Sequence, residues 1–413
     1  MIYKDVEELI GNTPLLEIPE HIHGIPKLKL YAKLELLNIF GSLKDRIAKE
    51  MLLPHLEQIK KEGRTVIESS SGNTAKALAI LCAKHHIPFE IITNRIKVPT
   101  QKKLIQWYGA TITELPGQAE CPDPTNSDDP IQLIEKEIER KPQHYFHTSQ
   151  YTNESNPKAH KQTGKEIHKE LPVVNYYFGD LGTCGSSVGI GTYLRNVQKE
   201  QPKIIGIFTK GNGYVPGGRN EYELAEVGHF KKEFYDEIIS ASEEEAHEAT
   251  VILNKQVGIP CATTTGLVFA ALQNYFQNNP LKEEQTAVFL ACDRIEPYAD
   301  FIQQYKKREI QQKEQLREVE EVTYEQISPN ALLIDIRVPF AYQLKHLPGS
   351  INIPEELLKG YIHTNPFQGK EVIFICPEGK RSKQLAARLP HAKSLTLNTV
   401  DKNYLRTSEN ETQ

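Results

Sequence analysis

The chain has 413 residues, enough for two or three folded units at roughly 150 residues each. Apolar residues make up 39% and charged residues 25%, an ordinary balance for a globular protein with a sizeable core. A net charge of −5 excludes the strongly basic character that nucleic acid or an acidic membrane would require of a partner.

The N-terminus, Met1-Ile2-Tyr3-Lys4-Asp5-Val6-Glu7-Glu8, carries three acids and no apolar run, so it does not read as a signal peptide. No apolar stretch is long enough to span a bilayer. The cysteines at positions 82, 121, 184, 261, 292 and 376 show neither metal-ligand nor disulfide-framework spacing, so a cytoplasmic enzyme with reduced thiols and no metal is expected.

Up to about residue 300, short β-branched runs alternate with helical ones. Lys44 lies in Asn38-Ile39-Phe40-Gly41-Ser42-Leu43-Lys44-Asp45-Arg46. Thr65-Val66-Ile67 predicts a strand that leads through Ser70-Ser71-Gly72 into the amphipathic helix Asn73–Lys84. Residues 89–92 predict another strand. Residues 173–178 predict a third, running into Gly182-Thr183-Cys184-Gly185-Ser186 and a helix through Val197. Residues 204–208 and 287–290 complete an alternation that predicts an α/β fold. Each glycine-rich loop falls between a strand and a helix, where ligands gather in such sheets.

The composition changes at 305–321, a charged stretch without glycine or proline that reads as a solvated helical linker. A second pattern follows: the strand-like 332–337, then His346-Leu347-Pro348-Gly349-Ser350-Ile351, then Val372-Ile373-Phe374-Ile375-Cys376. The tail 407–413 is polar and reads as disordered.

The lysine run and the two loops together supply an amine nucleophile and two anion-binding turns. The set resembles the cysteine synthase branch of the fold-type II pyridoxal-phosphate enzymes, from about Ile10 to about Tyr298. The later pattern resembles a rhodanese domain. The resemblance implies a two-subdomain fold-type II (tryptophan synthase β-like) fold over 1–304, the linker at 305–321 and a small α/β rhodanese-like domain at 322–406. It further implies pyridoxal 5'-phosphate as cofactor, an amino-acid substrate with a sulfur donor, and a homodimer.

Carried onto this chain, the resemblance makes Lys44 the Schiff-base lysine, whose amine must be partly desolvated to be neutral at working pH. Ile39 and Phe40 replace the proline and threonine usual ahead of it. Ser70, Ser71, Gly72, Asn73 and Thr74 become the substrate-carboxylate loop, with Asn73 also on the cofactor's phenolic oxygen; read alone, they are an N-capping cluster. Gln150 matches the glutamine that reaches the same carboxylate. Gly182, Thr183, Cys184, Gly185 and Ser186 match the phosphate cup, with Cys184 a small replacement for glycine rather than a catalytic thiol. Asp293 falls at the pyridine nitrogen, where the family has serine or threonine. A one-residue slip puts Cys292 there, and an Asp293 pointing elsewhere is an ordinary loop carboxylate. Thr264-Thr265-Gly266 stands for a Ser-Ser-Gly or Ser-Thr-Gly segment. Arg219 resembles the arginine that pairs with a leaving phosphate in O-phosphoserine-using members, with a surface salt bridge as the plain alternative.

In the second pattern, Cys376, Gly379, Lys380, Arg381 and Ser382 form a strand-to-helix loop. Such a loop points N–H groups inward, lowers a thiol's pKa and stabilises a persulfide. The five-residue step from Cys376 to Arg381 fits rhodaneses better than cysteine phosphatases, and an inert thiol is the alternative. Pro377 replaces a frequent arginine. Asp335, Arg337 and His346 match signature segments with structural roles.

The expected reaction is β-replacement on O-phosphoserine or O-acetylserine through an aminoacrylate, giving cysteine or a relative, with sulfur carried on Cys376. One alternative is a cysteine β-eliminase whose rhodanese domain accepts the sulfur. The other is a scaffold that keeps the cofactor without turnover.

Overall fold

The computed structural model describes residues 2–94, 96–115, 129–211, 213–221, 227–303, 319–359, 367, 370–387, 389 and 391–406. The chain divides into two units, Met1–Ile302 and Gln303–Gln413. The expected tail at 407–413 and most of the expected linker lie outside the described residues. The linker's last three residues, 319–321, are not helical, and Ser394 N–H donates to the Glu320 carbonyl at 3.1 Å.

The strands of the first unit are, in chain order, β1 (Leu15–Ile18), β2 (Leu28–Lys33), β3 (Thr65–Glu68), β4 (Phe89–Thr93), β5 (Thr111–Glu114), β6 (Tyr145–His147), β7 (Tyr176–Asp180), β8 (Lys203–Thr209), β9 (Glu237–Ala241) and β10 (Gln285–Leu290). They form a six-stranded sheet of order β1-β2-β10-β7-β8-β9 and a four-stranded sheet of order β5-β4-β3-β6. Only the β1–β2 pair is antiparallel; the other pairings are parallel. Parallel strands are covered on both faces, which is why β3, β8 and β10 read as near-continuous apolar runs rather than alternating ones. Phe178, Phe269 and Phe289 are fully buried in the main core around β7, β10 and the helix Thr263–Asn278.

The smaller sheet is inserted between β2 and β7, so the chain crosses between subdomains before Lys44 and again after Gln150. This places both expected site segments at the subdomain boundary. Residues 173–175, expected within a strand, lie outside β7. The Val174 N–H donates to the Gln198 side chain at 2.8 Å instead of to a ladder partner.

The second unit has one parallel sheet, of order β12-β11-β13-β14, built from β11 (Leu332–Asp335), β12 (Ile351–Asn352), β13 (Val372–Cys376) and β14 (Lys393–Thr396). It has its own core, in which Ile334, Phe374 and Leu385 are buried. Among the described residues, no helix is long and apolar enough to cross a membrane.

Candidate active site

The segment before Lys44 runs along the segment after β10. Leu43 N–H donates to the Cys292 carbonyl at 2.9 Å, Arg294 N–H donates to the Gly41 carbonyl at 3.2 Å, and Ser42 bridges Asp293. Lys44 therefore starts its helix, Lys44–Leu52, against Cys292 and Asp293. Its Nζ makes no hydrogen bond among the described residues.

Asn73 opens the helix Asn73–Lys84 and donates to Asp293 Oδ2 at 2.8 Å and to the Tyr298 hydroxyl at 3.0 Å. Asp293 is buried, and its Oδ1 has no hydrogen-bond partner. Burial pushes this carboxyl up to about 6, against the pull of Tyr298, Asn73 and the Lys76 charge. The neighbouring Cys292 turns the other way, its Sγ 3.6 Å from Asp180 Oδ1, so of the two only Asp293 bonds Asn73.

The expected carboxylate-binding residues are brought together. Ser70 Oγ caps the helix by accepting from Ala75 N–H at 3.2 Å. Thr74 donates to Gln150 Oε1 at 2.7 Å, and Gln150 Nε2 donates to the Ser69 carbonyl at 2.9 Å. Ser71 and Gly72 are half-buried.

In the other loop Cys184 adopts φ of 61° and precedes the helix Gly185–Val197, which has no side-chain cap. A left-handed residue here turns the chain so that the first helical N–H groups face out of the helix end, where they favour an anion. A side chain at Gly185 would sit 1.9 Å from Asn156 Oδ1, so only glycine allows this approach. Asn156 Nδ2 donates to the Gln150 carbonyl at 2.8 Å and to the Thr183 hydroxyl at 3.0 Å, which ties the substrate segment to the loop. Burial pushes the Cys184 thiol up to about 12, which leaves it neutral.

Arg219 is not a surface residue: it is 5% exposed, and its guanidinium lies 5.1 Å from the centre of the Tyr151 ring, next to Gln150. The Gly217 carbonyl comes within 2.8 Å of the space a side chain at Gly182 would fill, so this segment borders the 182–186 loop. Residues 222–226, which follow Arg219, lie outside the described residues. Thr265 Oγ1 accepts from Cys292 N–H at 3.1 Å and Thr264 donates to the Pro216 carbonyl at 2.7 Å.

Five residues that the sequence reading passed over sit among these groups: Glu68, Gln101, Asn156, Asp180 and Tyr298. Tyr298 and Gln101 bond Asn73, and the others link loops distant in sequence. Only tertiary contact marks them out.

In the second unit Cys376 ends β13 and is buried. Its Sγ accepts from Ser382 N–H at 3.4 Å and lies 3.3 Å from Ser382 Oγ. Gly379 has φ of 74° and packs so closely that a side chain would meet Thr396 Oγ1 at 2.1 Å. Lys380 is exposed, and Arg381 Nη1 lies 3.5 Å from Glu355. Arg337 donates to both oxygens of Asp335, at 2.9 and 2.7 Å, and His346 stacks on Tyr342 at 4.1 Å.

The donor set of the first unit fits a phosphorylated pyridine aldehyde: an unbonded lysine, a helix end open to an anion and a buried aspartate oxygen lacking a donor. Comparison with known proteins defines the class. The pyridoxal-phosphate dependent enzyme model matches residues 6–293, and the chain belongs to that family, with pyridoxal phosphate as its cofactor. The rhodanese-like domain model matches residues 318–400.

More particularly, the chain is 31% identical over 322 residues to cystathionine beta-synthase of Apis mellifera, covering 74% of this chain and 62% of that protein. The chain thus spans less than two thirds of that relative. It is 32% identical over 247 residues to cysteine synthase of Aquifex aeolicus (strain VF5), covering 58% and 73%. The crystal structure of a hydrogen sulfide-producing enzyme from Fusobacterium nucleatum superposes with a TM-score of 0.61 at 27% identity, covering 72% of this chain and 98% of that one.

Proposed function

We propose that the first unit replaces the β-substituent of an activated serine with sulfur, forming cysteine or a close relative. The observation that carries this reading is the convergence of Lys44, the linked Thr74–Gln150 pair and the buried Arg219 in one subdomain boundary. Relatives named cysteine synthase and cystathionine beta-synthase support it.

When bound, pyridoxal phosphate supplies the electron sink that makes the substrate Cα–H acidic and lets the β-substituent leave. The N–H groups of 182–186, with the hydroxyls of Thr183 and Ser186, hold the phosphate. Asp293 keeps a proton at the ring nitrogen, and Asn73 orients the ring oxygen. Ser70, Ser71, Thr74 and Gln150 grip the substrate carboxylate. Lys44 Nζ takes the Cα proton as general base. Arg219 offers its planar fork to an anionic leaving group, which favours O-phosphoserine over O-acetylserine. In the second unit the Cys376 sulfur attacks the outer sulfur of thiosulfate, breaking the S–S bond, releasing sulfite and leaving a persulfide; a dithiol reductant then supplies the two electrons that release this sulfur at the sulfide level for the first unit and return Cys376 to the thiol.

A second reading has the first unit break cysteine down to pyruvate, ammonia and sulfide; Cys376 takes up that sulfur as a persulfide once a two-electron oxidant has carried the sulfide to the sulfane level. Similarity to the hydrogen sulfide-producing enzyme favours it, as does an aspartate at Asp293, because a protonated ring stabilises carbanions.

The test is the absorption spectrum of the loaded enzyme titrated with O-phosphoserine, O-acetylserine and cysteine, with products assayed. The expected outcome is a response to O-phosphoserine that sulfide reverses, with cysteine formed. Arg219→Gln should raise KM for the phosphate ester about tenfold, in keeping with loss of a charged hydrogen bond of ~1.5–3 kcal/mol, and leave the acetate ester nearly unaffected. Response to cysteine alone, with pyruvate released, would establish the second reading.

A further inference from the structure

A cavity of about 370 Å³ lies beside the segment that leads into Lys44 and takes no part in the scheme above. That volume falls in the range of small-molecule sites, ~300–1,000 Å³. Phe40 from that segment, Ile80 from the helix Asn73–Lys84, Leu104 from the helix Pro99–Trp107 and Tyr108 just after it form apolar or aromatic walls. Ile39 and Phe40, the two departures from the motif ahead of Lys44, both line it. Lys44, residues 70–74, Gln150 and the 182–186 loop do not, so the cavity is separate from the substrate site.

One charged side chain is set among these walls. Lys76 lines the cavity yet is only 6% exposed, and its Nζ stands 3.8 Å from the space a side chain at Gly41 would fill. Its ammonium makes no hydrogen bond or ion pair among the described residues. The carboxylates whose charges reach it are held elsewhere. Asp45 accepts from Phe40 N–H at 2.6 Å and from the Ser42 hydroxyl at 3.2 Å, Asp293 accepts from Asn73, and Glu296 accepts from Arg294 Nε at 2.9 Å. An ammonium taken out of water without a partner is costly, and burial lowers this one below the ordinary lysine range. Arg294 and Glu296 stand half-exposed at the rim and neutralise each other, so Lys76 is the cation that the cavity offers an incoming anion.

We propose that this cavity binds a small organic carboxylate with an apolar body, its carboxylate on Lys76 Nζ and its body against Phe40, Ile80, Leu104 and Tyr108. The carboxylate supplies the acceptor that the ammonium lacks, where a charged hydrogen bond is shielded from water. An inorganic anion satisfies the charge and leaves the apolar walls wet, and a neutral isostere does the reverse, so both bind less tightly. The wall shared with the catalytic segment is firmly tied. Arg294 N–H donates to the Gly41 carbonyl at 3.2 Å, and Leu43 N–H donates to the Cys292 carbonyl at 2.9 Å. An occupant therefore rests against the backbone that positions Lys44.

The test is isothermal titration calorimetry on the full chain loaded with pyridoxal phosphate, with 3-phenylpropionate, 3-phenylpropanamide and inorganic sulfate as probes. The expected result is saturable binding of 3-phenylpropionate at a single site, with the amide and sulfate each weaker by about tenfold or more, the scale of a charged hydrogen bond or a buried apolar group. Lys76→Met keeps the length and apolar stem of the side chain; it should weaken the acid by a similar factor and leave the amide unchanged. Should that variant fail to fold, Leu104→Trp, at a half-buried position, fills the cavity and should abolish binding with Lys76 in place. Gln150→Ala, in the substrate site, should bind the probe as the wild type does. No saturable binding to the wild type would overturn the proposal. So would sulfate binding as tightly as the acid, or loss of binding in Gln150→Ala with Lys76→Met unaffected. None of these readouts depends on cysteine formation, so the β-replacement reading stands or falls separately.

Discussion

Glu68 is buried at the end of β3 with both oxygens in use. Oε1 accepts from Ser69 N–H at 2.8 Å, and Oε2 accepts from the Thr148 hydroxyl at 2.6 Å and Gln150 N–H at 3.1 Å. One side chain thus joins the loop that opens at Ser70 to the segment that carries Gln150. Burial pushes its carboxyl up to about 7, and the three hydrogen bonds hold it down. In Glu68→Gln an NH2 group must face a donor, and one unsatisfied buried donor costs ~1–3 kcal/mol. The expected outcome in steady-state kinetics is a KM for the serine substrate raised about tenfold, with the bound-cofactor spectrum unchanged. In the wild type KM should rise as pH falls through about 7, when the carboxylate loses acceptor capacity, and the glutamine variant should lack that dependence. Nothing in the sequence marks Glu68, because a glutamate at a strand end is common and its partners stand about 80 positions away. Lys44 and Gly185 were legible because each sits in a short motif whose local geometry the chemistry needs.

The Lys44 helix is held by a buried ionic cluster rather than by its apolar face alone. Arg46 Nε reaches Glu35 at 2.6 Å and Arg46 Nη2 reaches Glu166 at 2.7 Å, while Lys33 Nζ lies 2.8 Å from Glu166. Thr13 donates to Glu35 at 2.6 Å. The cluster ties β2, the Lys44 helix and the helix Ser155–Glu170, which fixes the lysine relative to both substrate segments. Arg46→Met leaves the buried Glu35 carboxylate without its cation, while Glu166 keeps Lys33, and breaking such a buried pair costs ~3–5 kcal/mol. Urea melts at pH 7 should show that loss, with lysine positioning reported by a weaker cofactor affinity. Burial raises the Glu35 carboxyl, but the charge and hydrogen bonds of Arg46 and the Thr13 bond outweigh it, so it titrates at about 2. A depressed acid stabilises the fold above its ordinary 4.5 and loses that contribution as pH falls through about 2, on the order of 3 kcal/mol. The motif Gly-Ser-Leu-Lys-Asp-Arg draws attention to the lysine, while β2 and the two helices tied here are not among the elements expected from the sequence. Nor is the cluster, because Lys33, Glu35 and Glu166 look like the charged residues of any solvated face.

Across the whole molecule, two units with separate cores each carry a loop built for sulfur or nitrogen chemistry. The sequence reading places a linker at 305–321 on its change of composition, and the structure divides the chain at Ile302/Gln303. What sequence does not encode locally is why both sites share one chain. In the proposed scheme, carrying both units on one chain raises the effective concentration of the Cys376 persulfide at the first unit above that of a dilute free donor. Cys376→Ser tests this. A serine there keeps an oxygen that can accept from Ser382 N–H, which now bonds the sulfur at 3.4 Å, so β13 and its loop should fold normally. With O-phosphoserine, thiosulfate and a dithiol reductant, turnover should fall at least tenfold. With saturating free sulfide, which bypasses the carrier, it should match the wild type. Equal thiosulfate rates in the two proteins would separate the rhodanese-like unit from cysteine formation and turn attention to cysteine breakdown in the first unit.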